Sequence, residues 1–263
     1  MIKLIASDID GTLVADGTAD INPEIYEVIS KLHDRGIAIA VATGRHWKSI
    51  DNLFTPIADK IFYIADNGAY IGIKGRSLFL NGIPKQQALD FIKDVHRNKK
   101  LLPVIATKSS YFIDKNDDKF MSWIREGYQG EVEYIEDFSM LKEDILKIAV
   151  YCENIYNEVD YIIEKYGKEL DLRYSGSMWL DCARKDVSKG FAIRILQESL
   201  GIKSEETLVF GDQCNDIDML KSAYYSFAVS NAVDELKSVS RFETKANVED
   251  GVLDIMKMLL TNC

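Results

Sequence analysis

The stretch Ile2-Lys3-Leu4-Ile5-Ala6-Ser7-Asp8-Ile9-Asp10-Gly11-Thr12 decides the fold. Its apolar run stops abruptly at two aspartates and a glycine, which is how a buried parallel strand ending in a turn reads. Working outward, Asn22-Pro23 opens a helix as N-cap and first-turn proline; Ile25, Val28, Ile29 and Leu32 share one face, and Gly36 closes it. A second apolar strand, Ile37 to Ala42, ends at Thr43-Gly44-Arg45, and a third, Ile61 to Ile64, ends at Asp66-Asn67-Gly68. Strands alternating with helices at this pitch predict right-handed crossovers and a parallel sheet.

The pattern changes from about Gly82 to Cys182. Helices over 84–98, 117–128 and 154–166 are interspersed with strands near Val104 and Phe112, at 147–151, and around Leu172 and Trp179. Helices and strands in such blocks predict a separate α+β unit. Then the first pattern returns: helix 189–200, strand 207–210 ending at Gly211-Asp212, a helix through Met219, strand 227–229 and two short terminal helices. The expected architecture is therefore α/β, a doubly wound parallel sheet in 1–81 and 183–263 interrupted by an α+β domain in 82–182.

Composition narrows the partners. The 263 residues are 47% hydrophobic and 28% charged, with a net charge of −10 spread along the chain. That surface repels nucleic-acid backbones and anionic membranes, so neither is expected as a partner. No obligate protein partner is evident either. Cys152, Cys182, Cys214 and Cys263 form no C-x-x-C pair, no signal peptide or membrane span is legible, and a reducing cytoplasm is the expected compartment. His33, His46 and His96 lack the spacing of a helical metal site.

In an open parallel sheet, ligands bind beyond the carboxyl ends of the strands. Asp8/Asp10, Thr43/Gly44 and Asp212/Asn215/Asp216 all sit at such ends, and Lys189 opens a helix just after the insert. Converging carboxylates repel unless a divalent cation lies among them, and magnesium prefers hard oxygen ligands. That inventory suits transfer of a phosphoryl group from a small-molecule phosphate monoester. A carboxylate such as Asp8 can attack phosphorus, and Asp10, brought round by a turn at Gly11, can serve as acid and base. Thr43, Gly44 and Lys189 can hold the phosphoryl oxygens. Asp212 would complete the metal shell. Asp216 would hold a metal-bound water or orient Lys189, and Asn215 is suited to donate to phosphate.

The residues D-I-D-G-T-L at 8–13, T-G-R at 43–45, V-S-K-G at 187–190 and G-D-Q-C-N-D at 211–216 resemble the four motifs of the haloacid dehalogenase superfamily, in its Cof-like branch. Asn67-Gly68, Ser230-Asn231-Ala232 and the segment 247–252 also resemble recurring family segments. The resemblance implies a Rossmann-like core with a specificity-determining cap, a magnesium cofactor and an aspartyl-phosphate intermediate. It implies Asp8 as nucleophile and metal ligand, Asp10 as acid/base with its carbonyl on the metal, and Asp212 as metal ligand. Thr43, Lys189 and Asn215 become phosphate contacts. Sugar phosphates, phosphorylated cofactors and nucleotides are the substrates it implies. Gln213-Cys214 and Val229-Ser230 depart from frequent family residues without replacing a catalytic type.

Taken singly, each motif has a plainer reading: Asp8-x-Asp10-Gly11 a solvated turn, Thr43-Gly44-Arg45 a strand-to-helix junction, Lys189 a surface lysine. Their order on strand ends favours the chemical reading. Cys214 is expected to pack passively, His46 to cap or lie at the surface, and Trp123, Trp179, Tyr111 and Tyr174 to serve mainly as core of the insert. Two other functions use the same inventory. A phosphomutase returns the phosphoryl group to sugar, and a phospho-accepting regulatory module uses it as a signal. The long insert and Asp10 argue against the latter.

Overall fold

The five residues of β1, Leu4–Asp8, are all buried, as a strand flanked by neighbours on both sides and both faces requires. The computed structural model describes residues 1–16, 18–128, 131–175 and 177–261; Cys263 lies outside the described residues. After β1 come α1 (Glu24–Asp34), β2 (Ala38–Ala42), α2 (Trp47–Leu53) and β3 (Ile61–Ala65), then a hairpin of β4 (Tyr70–Ile73) and β5 (Arg76–Leu80). The second stretch contains α3 (Lys85–Val95), β6 (Leu102–Ala106), β7 (Tyr111–Ile113), α4 (Asp118–Tyr128) and β8 (Val132–Tyr134). It continues with β9 (Lys147–Tyr151), α5 (Asp160–Tyr166), β10 (Leu170–Tyr174) and β11 (Trp179–Arg184). The chain then returns through α6 (Lys189–Leu200), β12 (Thr207–Gly211), α7 (Ile217–Lys221) and β13 (Tyr225–Val229) to α8 (Asp234–Lys237), β14 (Phe242–Thr244) and α9 (Gly251–Thr261).

Two units result, Met1–Leu78 with Ser188–Cys263, and Phe79–Val187. In the first, the strand order is β14-β13-β12-β1-β2-β3-β4-β5. From β14 to β3 every pairing is parallel, and β4 adds antiparallel to β3. The chain leaves β1 towards β2 and β3 on one side and returns to β12 and β13 on the other. The fold is a doubly wound α/β sheet whose switch point lies between β1 and β12, where such sheets open a crevice at the strand ends. Helix α1 buries Ile25, Val28, Ile29 and Leu32, carries Glu24 and Glu27 in its first turn and Lys31 and His33 in its last, and Gly36 follows at φ 83°.

The inserted unit is a six-stranded sheet, β10-β11-β9-β6-β7-β8. All its pairings are antiparallel except β7 with β8. One hydrophobic cluster joins Phe91, Ile92 and Val95 of α3 and Ile162 of α5 to Ile148, Val150 and Leu180. A second joins Ile124 of α4 to Val104, Ala106, Ala149 and Ile113. Period-2 alternation along β9 and β6 sends successive side chains to these two cores.

Several expected elements differ. The helix expected over 154–166 is split into a single turn at Ile155–Asn157 and α5; Ile155, Val159 and Ile162 are buried at the spacing of one helical face, which is why the sequence reads as one helix across the break. The β4–β5 hairpin turns on Lys74 and Gly75, both at positive φ, and lacks the Asn-Gly signature by which such turns are legible in a sequence. The three-residue strands β8 and β14 are too short for a periodic signal.

Candidate active site

Four loops at the carboxyl ends of β1, β2, β3 and β12, together with the start of α6, build one polar cluster inside the first unit. Its centre is Lys189. The ammonium is 1% exposed and donates at 2.6 Å to Asp8 Oδ1 and at 2.6 Å to Asp216 Oδ1. Ser188 caps the helix that carries it, its Oγ accepting from Phe191 N–H at 3.0 Å. The other Asp216 oxygen accepts the backbone N–H groups of Asp212 and Gln213, at 3.0 and 3.1 Å. Asp216 thus ties the β12 loop to the lysine with both ends of its carboxylate.

Asp212 is buried, and its Oδ1 accepts from Thr12 Oγ1 at 2.8 Å. Gly11 turns at φ 75°, and a Cβ there would stand 2.2 Å from Asp212 Oδ2. Only glycine lets the first loop come this close to the β12 carboxylate. Asn231 and Asn247 hold the same loop from behind: Asn231 donates to Gly11 O at 2.8 Å, and Asn247 Nδ2 to Val14 O at 3.0 Å.

The electrostatics follow from burial. Desolvation pushes the Asp8 carboxyl well above the ordinary carboxylate range; Lys189 pulls it back, while Asp216 and Asp212 add to the rise. Burial pushes Asp212 up to about 6, against the pull of the Thr12 hydrogen bond. Burial alone would lower the Lys189 ammonium, but Asp216 and Asp8 outweigh it and hold it above its usual value. Oxygens of Asp8, Asp212 and Asp216 lie within 4.8 Å of one another. Three carboxylates against one ammonium form a donor set of hard oxygens with excess negative charge, which fits a divalent cation such as magnesium.

Asp10 stands apart from this cluster. Its carboxylate is gripped by Arg45, Nε donating to Oδ2 at 2.8 Å and Nη2 to Oδ1, while Nη2 also reaches Thr18 O at 2.9 Å. The carboxylates gathered are therefore Asp8, Asp212 and Asp216, and the sequence reading puts Asp10 on the metal through its backbone carbonyl, not through this side chain. The physical reason is the turn at Gly11: it carries the Asp10 side chain towards β2, where a bidentate guanidinium receives it.

Thr43 is buried at the end of β2, and its Oγ1 accepts from Arg45 N–H at 3.1 Å. Accepting through one lone pair leaves the hydroxyl proton available to donate. Gly44 backs onto the Asn67 amide, and a Cβ on Gly44 would stand 3.4 Å from both its oxygen and its nitrogen. Asn215 Nδ2 donates to Asn67 Oδ1 at 3.1 Å. Thr12, Arg45, Asn67, Asn231 and Asn247 were not singled out for their contacts from sequence, although every one lies inside a quoted motif or segment.

Two expectations need correction. Cys214 is exposed, not packed, because the turn after β12 points it to solvent. Of the four insert aromatics expected as core, only Tyr111 is fully buried, while Trp123 and Tyr174 are 41% exposed. Trp123 stacks on Trp179 with ring centroids 5.7 Å apart. His46 caps α2 through Nδ1, accepting from Lys48 N–H at 3.3 Å. No helix among the described residues is long and apolar enough to cross a membrane.

A family model described as haloacid dehalogenase-like hydrolase matches residues 5–256. The Escherichia coli K12 protein named 5-amino-6-(5-phospho-D-ribitylamino)uracil phosphatase YbjI is 27% identical over 261 residues, covering 98% of this chain and 96% of that protein. The Bacillus subtilis protein YcsE, of the same enzyme name, is 29% identical, with 95% and 93% covered. A solved structure from Eubacterium rectale is 33% identical and superposes with a TM-score of 0.93, covering 98% of this chain and 99% of the other.

Proposed function

Because the chain belongs to the haloacid dehalogenase-like hydrolases and is a phosphoric monoester hydrolase, we propose that it cleaves small phosphate monoesters with magnesium, through a phosphorylated Asp8. The observation that carries this reading is the buried Asp8–Lys189–Asp216 chain beside the Asp212–Thr12 pair, at the switch point of the sheet. Asp8, Asp212 and the Asp10 carbonyl would hold the ion, with Asp216 behind them. Bound magnesium supplies shielding between the anionic substrate and the anionic nucleophile and polarises the phosphoryl oxygens.

Lys189 holds one oxygen of Asp8 and so directs the other at phosphorus. Attack forms the Asp8–phosphorus bond as the ester oxygen departs. Asp10 gives that oxygen its proton and later takes one from the water that hydrolyses the acyl phosphate. With both Asp10 oxygens on Arg45, the guanidinium has to release one of them for each transfer. Thr43, the Gly44 backbone, Asn215 and Lys189 supply donors to the remaining phosphoryl oxygens.

The roles assigned here address only the phosphoryl group, which every monoester shares, so leaving-group choice is assigned to the inserted unit. The names of the relatives make a phosphorylated sugar alcohol attached to a heterocycle the first substrate to try, with 5-amino-6-(5-phospho-D-ribitylamino)uracil at its head. The test is release of inorganic phosphate from a metabolite panel in magnesium. Chelation is expected to abolish release, and Asp8→Asn to lower it by at least about a hundredfold with the fold intact. Full turnover in excess chelator, or near-wild-type turnover by the variant, would overturn the reading. A phosphomutase would instead return the group to sugar with little phosphate freed.

A further inference from the structure

Three consecutive residues after β3 take positive φ: Asp66 at 47°, Asn67 at 54° and Gly68 at 104°. Glycine does this freely, asparagine tolerates it, and for aspartate it is uncommon. Side-chain-bearing residues keep such conformations where their surroundings over-determine them, and here the surroundings are specific. Asp66 N–H donates to Arg45 O at 3.0 Å and Asn67 N–H to Thr43 O at 3.0 Å, so the turn grips the backbone of the β2 loop twice. Its side chain reaches a second loop, with Asn67 Oδ1 accepting from Asn215 Nδ2 at 3.1 Å while the amide lies against Gly44. Its third residue abuts a third element: a Cβ on Gly68 would stand 2.4 Å from the carbonyl oxygen of Ser188, the cap of the helix that begins with Lys189.

The turn therefore touches each structure that carries a proposed phosphate contact outside β1: Thr43 and Gly44, Asn215, and Lys189. We propose that Asn67 is a positioning residue for phosphoryl binding, holding the Asn215 amide at its working angle to the Thr43–Gly44 loop. Asn215 is only half-buried. Its nitrogen bears two protons, and one is spent on Asn67, which fixes the direction of the other. A rotamer fixed before substrate arrives does not have to be ordered on binding, and that is where affinity is gained. The left-handed conformation is what lets one short residue span both loops, its backbone N–H facing one and its side chain the other. This inference rests on the proposed function, since it assumes that Asn215 and Thr43 face a phosphoryl group.

The test uses the full chain with magnesium, reading the Kd for inorganic phosphate and for orthovanadate, KM and kcat, and the melting temperature. Asn67→Gly keeps the left-handed backbone without strain and removes only the amide. It is expected to weaken binding of both anions and raise KM by about tenfold, the scale of one hydrogen bond to a charged partner. Asn67→Ala adds backbone strain and is expected to lower the melting temperature further at similar Kd. The deciding measurement is the double-mutant cycle with Asn215→Ala. If Asn67 acts through Asn215, Asn67→Gly costs nothing more once Asn215 is gone. Unchanged anion affinity in Asn67→Gly, or losses that multiply in the double variant, would overturn the proposal. A wild-type protein that neither releases phosphate nor binds the anions would overturn the functional reading together with it, whereas wild-type turnover with an indifferent Asn67 would overturn this inference alone.

Discussion

Asp212 shows how a residue can be costly to the empty fold and useful to the loaded one. Its carboxyl is pushed up to about 6 by burial, above the ordinary 3.8. A group raised in this way contributes its stability below the unfolded value and loses it as pH rises through the folded one, so the metal-free protein should lose stability from this site between about pH 4 and 6. A cation binds the ionised carboxylate and competes with the proton, so its benefit runs the other way. Magnesium at about a hundred times its Kd should raise the melting temperature by roughly 5–10 °C at pH 7.5. At pH 5 proton competition at Asp212 should cut the gain to about half. Scanning calorimetry at both pH values checks this; a gain as large at pH 5 would remove Asp212 from the metal site.

Among the elements, α6 connects stability to chemistry. It begins at Lys189 and ends at Gly201, whose φ of 65° stops it. The Ser188 hydroxyl satisfies the N–H of Phe191, two residues beyond the buried lysine. Gly190 sits so close to α7 that a Cβ would stand 2.3 Å from Asp218 O. Helix start, lysine and β12 loop are thus packed as one block. Ser188→Ala should cost about 1 kcal/mol in global stability. It should also lower kcat/KM several-fold, since a frayed first turn releases the ammonium from Asp8 and Asp216. Denaturant titration and steady-state kinetics on the same sample read both effects. A loss of stability with unchanged kinetics would show that the two carboxylates alone hold the lysine.

For the whole molecule, every proposed catalytic side chain lies in the first unit, while the inserted unit has its own sheet and two apolar clusters. A separate core on each side predicts that a short flexible linker can replace residues 82–186 without unfolding the sheet of β1. Such a variant should keep some hydrolysis of a small activated aryl phosphate. It should also flatten the differences in kcat/KM among metabolite phosphates, because leaving-group contacts are lost together. An active variant with the original substrate ranking would place selectivity in the first unit.

What the sequence by itself determined is the part written in local signals. The apolar runs that end at Asp8, Thr43 and Asp212 marked buried strands, and Ser188 and Gly201 bound α6 over the residues read for it, 189–200. The residue types at those ends named the chemistry. The partner of each side chain was decided by tertiary structure. Asp10 meets Arg45 across 35 positions and Asn215 meets Asn67 across 148, and no periodicity reports such pairings. Gly11 had announced a turn, but where that turn would carry Asp10 depended on which strand lies beside β1. The Asp66–Asn67 turn was legible as a break and not as a clamp, because a left-handed conformation at non-glycine residues is imposed by the loops it holds, and those loops converge only once the sheet has formed.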